Sequence, residues 1–132
     1  MIVVLRYLWA SPATLVGLAC ALAAIASGAK ARRVDGTLEV GGGRVRDLVL
    51  RLPEGCRFGA ITLGHVIVGL DAEALARSRA HERVHVRQYE RWGVLFFPLY
   101  AASSFWALVR GRDPYRDNRF EREAFARERT AE

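Results

Sequence analysis

The chain has 132 residues, 52% of them hydrophobic and 26% charged, with 20 Lys and Arg against 14 Asp and Glu. This length suits one domain, so any active site must be compact. The net charge of +6 favours an anionic partner. We expect a membrane surface and no nucleic acid, because basic and acidic residues alternate over 73–91 and 110–132 and no nucleic-acid-binding motif is present.

The first predicted element is an apolar helix near the N-terminus. Residues 7–29 carry no charge, and a run of this length can span a bilayer. The run exceeds the apolar core of a signal peptide, which is about 7–15 residues. We therefore expect a membrane anchor helix over residues 1–33 and a domain over residues 34–132; a cleaved signal and a buried core helix are the alternatives. The basic residues that follow favour a cytoplasmic domain.

Strands are predicted next, from apolar segments separated by turn residues. The segments are 37–40, 44–52 and 58–70, with Gly41-Gly42-Gly43 and Pro53-Glu54-Gly55 between them. An antiparallel meander is the simplest arrangement of three such segments. We therefore expect a small antiparallel sheet.

A long helix follows the strands. Asp71 can cap its N-terminus, Glu73 lies in the first turn, and Gly93 after Trp92 is a typical stop. We expect the helix to end at about Trp92.

Two further segments complete the chain. Residues 94–109 are apolar, are interrupted by Pro98 and are marginal in length for a membrane span. Asp113-Pro114 and Asn118 then each offer a helix cap. We expect a polar helix from there to the C-terminus.

The segment His81-Glu82-Arg83-Val84-His85 has the spacing of a metal site. Histidines at i and i+4 of a helix project from one face, so both imidazoles can bind one zinc ion at about 2.0–2.1 Å. Glu82 lies where its carboxylate can take a proton as water attacks a carbonyl polarised by the metal. The alternative is a solvated histidine pair. We interpret His81 and His85 as zinc ligands and Glu82 as the catalytic base.

A catalytic zinc site needs a third protein ligand and an open fourth position. No His or Cys follows His85, so the downstream candidates are carboxylates. Glu121 and Glu123 lie near the start of the last predicted helix. Glu121 also stands three residues after Asn118, which is the spacing of a capping box, so a purely structural role is an alternative for it.

Together, the His-Glu-x-x-His segment and Glu121-Arg122-Glu123-Ala124 resemble the gluzincin zinc metallopeptidases, especially their minimal and membrane-bound members. In these, a second helix supplies the third ligand as a Glu in a Glu-x-x-Ala context. The resemblance implies Glu121 as that ligand; Glu123 with Ala126 fits the shorter pattern. It also implies a zincin-like α+β fold that contains the predicted anchor helix, sheet, His-Glu-x-x-His helix and C-terminal glutamate helix.

The chain departs from the family at two positions. Arg83 is charged where the family usually has an uncharged residue, and Phe125 stands where an aspartate often supports the first histidine. The orientation of His81 then depends on another residue. The strand before the metal helix lines a peptide cleft in gluzincins, but His65 shares a face with apolar neighbours and is expected in the core.

From these features we expect zinc-dependent hydrolysis of a peptide or protein substrate at a membrane. The alternative is a non-catalytic membrane-associated binding module with a structural or degenerate metal site. Residues 94–109 should not cross the bilayer, because a crossing would separate the histidines from Glu121 by about 30 Å of hydrocarbon. A bent segment, or one lying in the interface with Trp106 at headgroup level, is expected instead.

Overall fold

The chain folds into an α+β arrangement with a helix at the N-terminus, a small sheet and C-terminal helices. The computed structural model describes residues 1–131. The elements are α1 (Ile2–Ala26), β1 (Ala29–Val34), β2 (Thr37–Gly42), α2 (Val45–Leu50), β3 (Ala60–Leu63), β4 (Val66–Gly69), α3 (Ala72–Trp92), α4 (Phe96–Val109) and α5 (Arg119–Ala131), with 3₁₀ turns at Glu54–Cys56 and Gly93–Leu95.

Small residues on one face of α1 pack against the rest of the molecule. The buried residues of this face are Ala10, Gly17, Ala21 and Ala24. A Cβ at Gly17 would lie 2.6 Å from the Leu63 carbonyl oxygen, so only glycine permits this approach. α1 ends at Ala26 and β1 begins at Ala29, so the expected anchor helix does not extend to residue 33. The division of the chain at residue 33 stays a prediction, and α1 contacts the rest of the molecule through this face.

The opposite face of α1 is apolar and exposed from Ile2 to Ile25. By length and composition alone, Ile2–Ala26 and the combined segment Ala72–Val109 could each cross a membrane. A core helix or a signal sequence passes the same test, so this is weak evidence of a span.

The sheet has four strands in the order β1-β2-β4-β3 and is mixed. β1 pairs with β2 and β3 with β4 in antiparallel orientation, whereas β2 and β4 are parallel, with Leu38 opposite Val66. The predicted antiparallel sheet is therefore wrong at its centre. The physical reason is that α2 and residues 51–59 carry the chain past the position next to β2, so that β3 forms the far edge of the sheet. The β3–β4 hairpin then places β4 between β2 and β3.

Two strand predictions also need correction, and one strand was missed. Residues 44–52 contain α2 instead of a strand, with Val45 and Val49 one turn apart on its buried face. Residues 58–70 form the β3–β4 hairpin, because Gly64 adopts a φ of +64° in the two-residue turn after Leu63. β1 was not predicted, because its basic residues interrupt the alternation of apolar and polar side chains that is typical of a strand.

The helix predictions at the metal motif are confirmed. The Asp71 carboxylate accepts a hydrogen bond from the Ala74 backbone N–H at 2.8 Å, and α3 ends where Gly93 takes a φ of +53°. The start of α5 is capped by Asn118, whose Oδ1 accepts from the Phe120 N–H at 2.9 Å. Local sequence signals therefore set both ends of α3 and the start of α5.

The chain reverses after α4, and this reversal brings α5 back to α3. The Asn118 amide donates to the Tyr100 carbonyl at 3.0 Å and to the Ser104 hydroxyl at 2.8 Å. The Arg119 N–H also donates to the Ser103 hydroxyl. These bonds hold the start of α5 beside the middle of α4. The last residues of α4 and the following loop lie beyond these bonds and line a groove together with α5.

Candidate metal centre

Three buried side chains from α3 and α5 converge on one point. His81 and His85, one turn apart on α3, have their Nε2 atoms 3.3 Å apart. The Glu121 Oε2 atom lies 2.9 Å from His81 Nε2 and 3.3 Å from His85 Nε2. This buried group could hold a metal ion.

The separations suit a small tetrahedral ion. Two ligand atoms at about 2.0–2.1 Å from such an ion lie about 3.3–3.4 Å apart. The observed separations are 2.9–3.3 Å. All three groups are nearly excluded from water, and a carboxylate with two imidazoles is a common donor set for zinc.

Each imidazole is held through its Nδ1 atom by a second side chain. His85 Nδ1 lies 2.8 Å from the Gln88 Oε1 atom, and the Gln88 amide donates to the Phe120 carbonyl at 3.1 Å. His81 Nδ1 lies 3.3 Å from the Glu128 carboxylate. Nδ1–H donation to these oxygens leaves each Nε2 atom directed at the common point, where it donates to Glu121 when protonated and offers its lone pair to a metal when neutral.

Glu82 is buried beside the first histidine and is fixed by a strand residue. The Thr62 hydroxyl, on β3, donates to the Glu82 Oε2 atom at 2.6 Å. Burial raises the pKa of Glu82, and the Thr62 hydrogen bond only partly opposes this rise. A carboxylate with a raised pKa is a better proton acceptor at neutral pH than an ordinary surface glutamate.

Two imidazoles surround one carboxylate in the cluster, and this arrangement shifts the pKa values of all three groups. Burial alone would raise the pKa of Glu121, but hydrogen bonds from His81 and His85 lower it to about 2. Burial tends to lower the pKa of His81, yet the bond with Glu121 leaves it above the usual histidine value; the same balance raises the pKa of His85. Glu121 therefore stays ionised, as a metal ligand must.

The cluster opens into a cleft of about 720 Å³. β3 lines the cleft together with aromatic residues: Phe97, Tyr100, Tyr115 and Phe125. The Tyr100 hydroxyl donates to Glu121 Oε1 at 2.6 Å, which orients the carboxylate. Burial raises the pKa of Tyr115 to about 12, so this phenol stays protonated and can donate to a bound group.

The remaining sequence candidates lie outside the cluster. Glu123 accepts from the Gln88 amide at 3.0 Å and pairs with Arg127 at 3.0 Å. The structure therefore brings Glu121, and not Glu123, to the two histidines. His65 is a core residue, as expected, and lies 2.9 Å from the Glu90 carboxylate. Arg83 pairs with Asp35 in the β1–β2 turn.

Sequence reasoning missed the residues that support the ligands. Glu128 lies seven positions after Glu121, two turns along the same face of α5, and Gln88 lies three positions after His85 on α3; helical spacing was the available signal. Phe125 packs its ring against His81, with centroids 4.6 Å apart, in place of an aspartate. Thr62 and Tyr100 carried no comparable signal, because their positions depend on the packing of β3 and α4.

Comparisons of the chain with protein-family models, with curated proteins and with solved structures found no match in any of the three.

Proposed function

We propose that the protein is a membrane-associated zinc metallopeptidase of the gluzincin type. One observation carries the proposal: His81, His85 and Glu121 present three ligand atoms at separations close to those around one tetrahedral ion, with the Glu82 carboxylate in the same cleft. A bound zinc ion would act there as a Lewis acid that polarises a carbonyl and lowers the pKa of water toward about 7.

Glu82 is assigned the proton transfer. Thr62 occupies its Oε2 atom, which leaves Oε1 to take a proton from the attacking water and to deliver it to the leaving amine. Tyr115 lines the same cleft. Its protonated phenol is assigned as the donor to the oxygen on which negative charge develops.

A peptide is the substrate class that the cleft suits best. β3 is an edge strand, and its outer side has no strand partner within residues 1–131. The strand lines the cleft over Ala60–Leu63. An extended peptide can add to such an edge through backbone hydrogen bonds, which requires no particular side-chain sequence.

A purely structural metal site is less consistent with this geometry. Structural zinc sites are closed by four protein ligands, whereas catalytic sites keep one position open. Among residues 1–131 the metal-binding group has three members, and it faces a cleft large enough for a ligand. This arrangement favours catalysis over the non-catalytic binding module.

The membrane part of the proposal depends on α1. Large apolar side chains are exposed along almost its whole length, and a soluble surface rarely carries an apolar patch of this extent. We assign α1 as the membrane anchor of the molecule.

The test is a Glu82→Gln variant, with Glu73→Gln as the matched control on an exposed position of the same helix. Glutamine keeps the shape of Glu82 but cannot take the proton. We expect Glu82→Gln to retain zinc and to lose about 10²–10⁴-fold in cleavage of a quenched fluorescent peptide library. Full activity of Glu82→Gln would remove this residue from the mechanism, and a zinc-loaded wild type without cleavage would contradict the peptidase proposal.

A further inference from the structure

A second large groove lies beyond the metal centre, where the end of α4, the following loop and α5 meet. Its volume is about 950 Å³. Six exposed arginines line it: Arg110, Arg112, Arg116, Arg119, Arg122 and Arg129.

These arginines carry charge that the described part of the chain does not neutralise. None of the six forms an ion pair within residues 1–131, although arginines elsewhere pair with carboxylates, as Arg79 does with Glu39. The two acidic residues of the lining have other partners: Asp117 accepts from the Asp113 N–H, and Glu123 pairs with Arg127. The groove is therefore strongly positive.

An exposed apolar surface adjoins this groove on the last turns of α4. Phe105, Trp106, Leu108 and Val109 are each about three-fifths exposed. The Arg110 guanidinium stacks 4.5 Å above the Trp106 ring, so the basic and aromatic groups are contiguous.

We propose that this groove binds the phosphate headgroups of an anionic phospholipid bilayer, while the end of α4 inserts its apolar side chains beneath them. Arginine binds phosphate through two parallel hydrogen bonds, and basic residues at an anionic membrane each add about 1 kcal/mol of attraction. Tryptophan and arginine together are typical of the headgroup region, with apolar side chains below.

A bilayer accounts for both features of the surface, whereas a soluble polyanion accounts for only one. RNA or free phosphate would satisfy the arginines but leave the neighbouring apolar side chains in water. α4 has 14 residues, or about 21 Å of helix, which is shorter than the hydrocarbon core of about 30 Å. The proposal therefore has α4 enter one leaflet without crossing. It does not depend on zinc or on peptidase activity.

The test uses the full chain in lipid nanodiscs, with an environment-sensitive fluorophore on Leu108→Cys in a Cys20→Ala, Cys56→Ala background. This readout reports on the end of α4 whether or not α1 is inserted. A second label on Glu73→Cys, whose parent side chain is 80% exposed, serves as the aqueous control. We expect a blue shift at position 108 in phosphatidylglycerol discs, a much smaller shift in phosphatidylcholine discs, and none at position 73.

Charge variants then identify the groove as the headgroup site. Neutralising three of its arginines, with Arg112→Gln, Arg116→Gln and Arg119→Gln, should remove most of the fluorescence shift at position 108 in anionic discs. Lysine at the same three positions keeps the charge and should retain most of that shift. A matched loss of three charges on exposed β1 should leave the shift intact: Lys30→Gln, Arg32→Gln and Arg33→Gln.

Two results would overturn the proposal. The first is a shift at position 108 that is equal in neutral and anionic discs and unaffected by the glutamine variants. The second is binding of an RNA oligonucleotide or of inorganic phosphate that depends on the groove arginines while position 108 stays in water in anionic discs.

Discussion

The side chains behind the two histidines should control zinc affinity in a defined order. Gln88 is 3% exposed, lies 2.8 Å from His85 Nδ1 and is itself bonded to α5. Glu128 makes one longer contact of 3.3 Å to His81 Nδ1 from a side chain that is 29% exposed. Losing an outer partner of a metal-bound histidine costs about 10–100-fold in affinity. We therefore expect about a hundredfold loss for Gln88→Ala and about tenfold for Glu128→Ala.

A second substitution can test whether Glu128 replaces the aspartate that this sequence lacks at position 125. The Phe125 ring already contacts His81, so an aspartate at this position starts from a backbone site beside the same imidazole. Phe125→Asp should recover most of the affinity that Glu128→Ala loses, about tenfold. A general effect on folding would not be rescued in this way.

Competition with a chromophoric chelator measures these affinities. Glu73→Ala, which removes an exposed carboxylate of α3, is the control and should bind zinc as the wild type does. Wild-type affinity in both Gln88→Ala and Glu128→Ala, or a larger loss in Glu128→Ala than in Gln88→Ala, would refute the reasoning.

Three further predictions follow from the site. Zinc affinity should fall by up to about a hundredfold per pH unit as the pH drops from 8 to 6. The reason is that zinc displaces protons from two histidines whose pKa is raised, while Glu121 stays ionised; an affinity that does not change with pH would contradict this. Thr62→Val should move the acidic limb of the activity profile to higher pH without loss of zinc, since the hydroxyl lowers the pKa of Glu82; an unmoved limb would exclude that role. Cysteines at Glu73 and Thr130 should react with an impermeant reagent from the same side of a sealed vesicle, and labelling from opposite sides would show that α4 crosses the bilayer.

Local signals in the sequence predicted the parts of the fold that depend on few residues. Asp71 and Gly93 bound α3 through a side-chain cap and a positive φ, and Asn118 starts α5. These are interactions within one or two helical turns, so they can be read from neighbouring residues. The two histidines were assigned from the same kind of spacing and Glu121 from the resemblance to gluzincins, and the structure brings His81, His85 and Glu121 together.

The sheet could not be predicted in this way, because its pairing depends on contacts between distant segments. The parallel pairing of β2 with β4 requires α2, whose apolar residues fit a strand as well as a short buried helix. For the same reason, the contact of Glu128 with His81 becomes visible only after α5 has packed on α3. Helical spacing shows which residues share a face, but not what that face meets.

Zinc stoichiometry of the purified protein tests the central claim most directly. Elemental analysis after dialysis against buffer with trace zinc should give one zinc per chain for the wild type and for Glu123→Ala. His81→Ala, His85→Ala and Glu121→Ala should each lose most of it, because two remaining ligands bind the ion weakly. Wild-type zinc in both His81→Ala and Glu121→Ala would contradict the three-ligand site and the function proposed from it.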